Sequence, residues 1–219
     1  MSGWGDSGAG QLPSAGGVAA RRAGRADVAD LVGVLVRAFE DDPVSTYLFP
    51  RRHVRRRGLR RFFRIQLRRL FVDTGEIWTT SDRLGAALWV PPGATHPASW
   101  RDLVVLAPVL ADLVAGGRPA ASLRLLAEVE RVRPSEPHWY LATLGTDPPA
   151  QGHGVGSALL EAVLATVDEQ HLPAYLESSK EANISFYTRH GFEVTGEIRS
   201  DDGGVTLWPM WRRAGSART

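Results

Sequence analysis

HWYLATLGTDPPAQGHGVGSALL, residues 138–160, is the stretch that decides how this chain reads. It predicts an apolar strand over Trp139–Thr146, a proline-containing connector over Asp147–Ala150, a glycine-punctuated turn over Gln151–Gly156 and an amphipathic helix over Ser157–Gln170. Glycines stand at 152, 154 and 156, where the helix begins. The first N–H groups of a helix have no intrahelical acceptor, and the helix dipole adds partial positive charge there. Without Cβ atoms in the way, an anion can approach those groups closely. The turn therefore suits a phosphate or pyrophosphate, and with it a phosphate-bearing cofactor.

Several kinds of loop share this look. A P-loop closes on Gly-Lys-Ser/Thr, whereas Gly156 is followed by Ser157 and Ala158. A dinucleotide fingerprint counted from Gly154 needs glycine or alanine where Leu159 stands; counted from Gly152 it meets Ser157. Glu177, about twenty residues on, keeps that reading open. Against it, the Asp147–Ala150 connector separates strand from glycines. A glycine-rich helix start with no ligand is the plain alternative.

More of the chain bears on the choice. QGHGVG (151–156), preceded by a strand and Asp-Pro, resembles the Q/R-x-x-G-x-G/A signature of the GCN5-related N-acetyltransferases, the GNAT family. PAYLESS (173–179) and EANISFYTRHGF (181–192) resemble that family's terminal half. The similarity is strongest over residues 134–198, weaker but co-linear upstream through RAFEDDP (37–43), and nearest to the puromycin-modifying branch.

The resemblance implies the GNAT fold: an α/β (α+β) architecture with a mixed, mostly antiparallel, twisted sheet of about seven strands, flanked by helices and splayed near residues 144 and 176. It implies acetyl-CoA as cofactor, with the pantetheine arm on the open edge at Leu144, Gly145 and Thr146. The pyrophosphate would lie on Gln151, Gly152, His153, Gly154, Val155, Gly156 and Ser157, with Asn183 and Tyr187 also at the cofactor. Tyr187 matches the family's proton donor to the departing thiolate. An unperturbed phenol near 10 needs only a modest local effect to protonate a thiolate near 8.5; packing against Phe186 is the competing role. Glu177 is the candidate base, acting through water, and burial would have to raise it from about 4.3. A backbone N–H near Leu144 or Gly145 would face the oxyanion.

For the acceptor side, Phe39, Asp42 and Tyr47 follow the first helix, and Trp139 and Tyr140 open the central strand. Glu40, Asp41, Phe49, His138, His96 and Trp100 are further candidates, although lone histidines and tryptophans are more often packing or surface residues. The resemblance implies direct transfer in a ternary complex to a small, aromatic amine or aminonucleoside, and a role in antibiotic resistance; a cytoplasmic location is the default for this composition, and a monomer or homodimer is expected. A peptide or protein amine is the alternative acceptor, and a non-catalytic acyl-CoA-binding module is the rival from another class.

Composition bounds these readings. The 219 residues are 43% hydrophobic and 23% charged, as in an ordinary globular chain, with a net charge of +2 that does not argue for nucleic acid. No apolar run is long enough to cross a bilayer, and the start carries no signal-peptide pattern. Cysteine is absent, which removes thiolate nucleophiles, thiolate metal sites and disulfides; no metal is expected. Residues 1–17 read as a mobile Gly/Ser-rich tail, 18–213 as one domain and 214–219 as a frayed end.

The remaining elements follow from periodicity. A strand is expected over Val18–Ala23, then a helix from Val28 capped by Asp27 and stopped at Asp41-Asp42-Pro43. Residues 51–69 hold ten arginines, with Leu59, Phe62, Phe63, Leu67 and Leu70 on one helical stripe. This predicts an amphipathic helix with a solvated basic face, or one near an anionic cofactor, ahead of a nucleic-acid or membrane surface. Strands follow at Gly75–Thr80 and Leu84–Val90, and two helices between Ser99 and Arg133. After the central unit come a strand at Ala174–Glu177, a helix at Ile184–His190, and strands at Phe192–Arg199 and Val205–Arg212.

Overall fold

The computed structural model describes residues 17–71, 76–93 and 100–215. The tail expected before residue 17, the chain end from 216, and His96 lie outside them, as does the side chain of Trp100.

Eight strands form one sheet, in the order β1 (Ala20–Arg22), β2 (Ile77–Thr80), β3 (Gly85–Val90), β4 (Trp139–Thr146), β5 (Ala174–Ser178), β8 (Thr206–Arg212), β6 (Glu193–Val194); β7 (Ile198–Arg199) pairs with β8 alone. Every pairing is antiparallel except β4 with β5. Around the sheet lie α1 (Val28–Phe39), α2 (Pro43–Leu48), α3 (Arg52–Ile65), α4 (Trp100–Gly116), α5 (Pro119–Val132), α6 (Val155–Glu169) and α7 (Ile184–Thr188).

The expected strand over Phe192–Arg199 divides into β6 and β7. Thr195 N donates to Pro209 O at 2.9 Å, but proline has no N–H to return the bond. Val194 faces Met210 and Ile198 faces Leu207, so the register slips by one residue across the break.

Each face of the sheet carries a core. Trp89, Trp139, Leu141 and Leu176 pack with Leu159, Leu160, Val163 and Leu164 of α6. Leu88 and Ala86 pack on the opposite face against Leu31 and Leu35 of α1 and Leu59 and Phe63 of α3. Alternation along β3 supplies both faces from one strand. Along β4 a bulge intervenes: Leu88 faces Thr143 while Trp89 faces Leu141, leaving Ala142 as the extra residue. Leu141 and Leu144 consequently both pack toward α6, three residues apart, while Gly145 turns toward α1.

Two expectations about charge resolve differently. Asp27 does not cap α1 with its side chain; its oxygens accept from Gly24 N (3.0 Å), Arg21 (2.8 and 2.9 Å) and Arg83 (2.6 Å). Hydrogen bonding from the Arg21 guanidinium, against the opposing cost of burial, holds the Asp27 carboxyl well below the usual range. The arginines of α3 are in part neutralised rather than displayed. Arg52 and Arg56 meet Glu40, and Arg57 and Arg61 meet the buried Asp112 of α4.

What positions the site is the junction of β4 and β5. They pair at Trp139 with Ala174 and at Tyr140 with Tyr175, with Trp139 N also donating to Pro173 O at 2.9 Å. Beyond that, β4 stays on β3 as far as Thr146 and β5 stays on β8 as far as Ser178. Each strand is thus held by its outer neighbour while the two diverge.

Candidate active site

A cleft of about 500 Å³ occupies the opening between the diverging strands. Its floor and walls include Leu144, Gly145 and Thr146 from β4, Leu176 and Glu177 from β5, and Asn183, Phe186 and Tyr187 from the α7 region. Gln151, Gly152, Gly154, Val155, Gly156 and Ser157 close one end.

The glycine turn is built as the phosphate argument requires. Gly152 and Gly154 have φ of +79° and +83°, a left-handed conformation that side chains rarely adopt, and open space lies where a Cβ would stand. Gly154 is the N-cap of α6, so the helix starts at Val155, two residues earlier than its sequence pattern suggests. The first helical bond is Ala158 N to Gly154 O at 3.0 Å. The amides of Val155, Gly156 and Ser157 therefore have no intrahelical acceptor and sit at the positive end of a fifteen-residue helix. A Cβ on Gly156 would come within 3.2 Å of Phe186, which keeps α7 close against this end. Arg37 braces the connector through Asp147, with contacts of 2.8 and 2.5 Å. These residues fit a pyrophosphate, and the cleft leading from them between the strands fits an extended arm.

Other expected residues separate. His153 is exposed with its ring on Gln151 O and does not line the cleft. Gly145 lines it, yet its missing Cβ has another cause: that atom would lie 2.8 Å from Leu35 and 2.9 Å from Phe39. Phe39 and Asp42 line the cleft. Asp42 also caps α2 through Ser45 N (3.1 Å) and accepts from Ser179 Oγ, tying the corner after α1 to the end of β5. Tyr47 is not at the cleft, because its hydroxyl donates to Asp202 (3.1 Å) and its ring lies under Arg118 in a separate core. Trp139 is also withdrawn: it is buried against Trp89 and donates from Nε1 to Gln170 at 2.9 Å.

Tyr140 is turned toward Glu177, donating from Oη to Oε2 at 2.9 Å. Glu177 Oε1 and the hydroxyl of Tyr175 are both buried. Burial pushes the Glu177 carboxyl up, while the Tyr140 hydroxyl, the Arg133 guanidinium and the Tyr175 hydroxyl oppose it. Tyr187 is buried beside the cleft, and burial, followed by the charge of Asp42, pushes its hydroxyl above the ordinary tyrosine range. It is therefore protonated at neutral pH. Sequence reasoning missed Arg133 and Tyr175 around Glu177, and Ser179, Lys180 and Arg189 along the cleft. The alternation of β5 puts Tyr175 on the face of Glu177, a signal that was available. Nothing local in the sequence places Arg133.

The Acetyltransferase (GNAT) family model matches residues 83–192, which span the strand pair, the glycine turn and α7. The chain belongs to the GNAT family. It is an acyltransferase by that membership, and the family transfers acetyl groups to amines, generally from acetyl-CoA. A crystal structure from Corynebacterium glutamicum, of a protein called histone acetyltransferase HPA2 and related acetyltransferase, is 30% identical, with a TM-score of 0.67 over 91% of this chain and 98% of that one. A Schizosaccharomyces pombe protein called an uncharacterized N-acetyltransferase is 27% identical over 190 residues, 80% of this chain and 74% of its own. The 5-NmdU N-acetyltransferase of Pseudomonas phage PaMx11 is 33% identical over 82 residues, 37% of this chain and 56% of its own.

Proposed function

We propose that this GNAT enzyme transfers the acetyl group of acetyl-CoA to a primary amine of a small molecule by direct attack, with Glu177 as proton acceptor and Tyr187 as proton donor. The observation that carries the reading is the placement of a carboxyl and a phenol hydroxyl along one cleft. Glu177 is a half-buried carboxyl held by Tyr140, and Tyr187 is a buried hydroxyl held neutral. Acetyl-CoA supplies an activated acetyl group on a thioester.

The chain's residues divide the remaining work. The α6 amides, with Gln151, Gly152, Gly154 and Ser157, would hold the diphosphate, and the free edge of β4 would pair with the amides of the arm. Glu177 takes a proton from the amine, directly or through a water, so that the lone pair can attack. A β4 amide near Leu144 or Gly145 faces the carbonyl oxygen as charge develops on it. Tyr187 gives its proton to the leaving sulfur. Burial raises a thiol as it raises a phenol, so the difference between the two governs this transfer rather than the raised value of Tyr187 alone.

The phage relative's name, a 5-NmdU N-acetyltransferase, fits a nucleoside amine. The name of the C. glutamicum relative favours a second reading, transfer to a protein amine. Parallel assays with aminonucleosides, aromatic amines, and lysine or N-terminal peptides test the choice. Turnover confined to peptides would overturn the small-molecule reading, and with it any part in antibiotic resistance.

A further inference from the structure

We propose that Tyr140 is a positioning residue for the proton acceptor, fixing the Glu177 carboxyl at the cleft through a hydrogen bond to one of its oxygens. This rests on Glu177 being the base. Tyr140 stands opposite Tyr175 on the last rung shared by β4 and β5, and Glu177 follows two residues along β5 on the same face. The Tyr140 hydroxyl reaches across the point of divergence to Oε2 at 2.9 Å, while Oε1 is buried.

The tyrosine is itself held in place. Its ring stacks on Tyr175 with centroids 6.0 Å apart and planes 29° from parallel. The Arg133 guanidinium, just after α5, lies 4.4 Å from its centroid and pairs with Glu130 at 2.8 Å. The groups facing Glu177 are thus Tyr140 from β4, Tyr175 from β5, and Arg133 and Glu130 from the α5 region. On the far side of β5, β8 sets Pro209 opposite Glu177 and Trp211 opposite Tyr175, neither of them acidic or basic. Asp42 and Lys180 line the same cleft.

Tyr140, then Arg133 and Tyr175, favour the carboxylate against burial, and Glu130 opposes them. Burial and then the charge of Glu177 push the Tyr140 hydroxyl up, so it remains a donor at neutral pH. One hydroxyl thereby fixes both the orientation of the carboxylate and its readiness to accept a proton.

The test is a carbon-13 NMR titration of glutamate side-chain carboxyls in the full chain, with the Glu177 signal assigned by its loss in E177Q. In Y140F, loss of a hydrogen bond to a charged group should move the Glu177 midpoint up by about one pH unit or more. Y47F serves as control and should leave it unmoved, because Tyr47 bonds to Asp202 in a separate core. An unmoved midpoint in folded Y140F overturns the proposal. If Y140F does not fold, R133Q takes its place: removing the cation should also move the midpoint up, and no movement overturns the proposal. Neither reading needs turnover. An error in the base assignment shows separately, as wild-type activity in E177Q.

Discussion

Tyr187 and Glu177 are asked for opposite tasks, and burial acts on both in one direction, toward the neutral form. For Tyr187 that is the working form. Y187F should keep CoA affinity by calorimetry while lowering kcat by roughly 10²–10⁴-fold, the usual span for a general acid. Equal losses in affinity and kcat would instead mark Tyr187 as a packing residue. For Glu177 the working form is the charged one, so kcat/KM should rise with pH through a midpoint above about 4.3, the ordinary glutamate value. E177Q should remove that limb from the pH–rate profile.

The same shift has a sign for stability. The folded-state value of Glu177 lies above the unfolded one, so its favourable contribution is complete below the unfolded value and declines as pH rises through the folded value. At pH 7, E177Q should therefore melt at or above the wild-type temperature although it loses activity; a clear drop in melting temperature would contradict the assignment. The sequence pointed to Glu177 and Tyr187 because each stands in a local motif. It could not tell Tyr140 from Trp139, since alternation names two faces without saying which meets the cleft. Trp139 went to the α6 core and Tyr140 to the base. Tyr47 lies outside for a long-range reason, its contact with Asp202, 155 residues away in the chain.

Among the elements, the β4–turn–α6 unit was the most legible. Trp139–Thr146 is bounded as its apolar run suggested, because a continuous run between turn residues leaves little choice. The start of α6 was not, since the turn's left-handed glycines allow the helix to begin at Val155. The bulge at Ala142 was also hidden, being a property of the pairing with β3. Two glycines test what these elements need. In G145A the new Cβ would press on Leu35 and Phe39, and overpacking of that kind costs about 1–3 kcal/mol, readable from the denaturant midpoint. In G154A the space is open and the left-handed backbone is the cost, about 1–2 kcal/mol. G154A should also weaken CoA binding by disturbing the α6 amides, and unchanged CoA affinity would argue against the diphosphate site.

At the scale of the molecule, two outer strand pairs hold β4 and β5 apart, so a ligand in the gap supplies the contact that the sheet lacks there. CoA should accordingly stabilise the protein, by about 2.7 kcal/mol at a hundredfold excess over Kd, with a matching rise in the melting midpoint. The eight-stranded, mostly antiparallel sheet was legible in class, although not in the division of β6 from β7.

The most direct test of the central claim is CoA thiol release from acetyl-CoA, followed with a thiol-reactive dye over a panel of amines. The chain contains no cysteine, so the enzyme contributes no thiol of its own. The account predicts release that depends on a small-molecule amine, is lost in E177Q and is strongly reduced in Y187F. Amine-dependent release that both variants retain at the wild-type rate would contradict it.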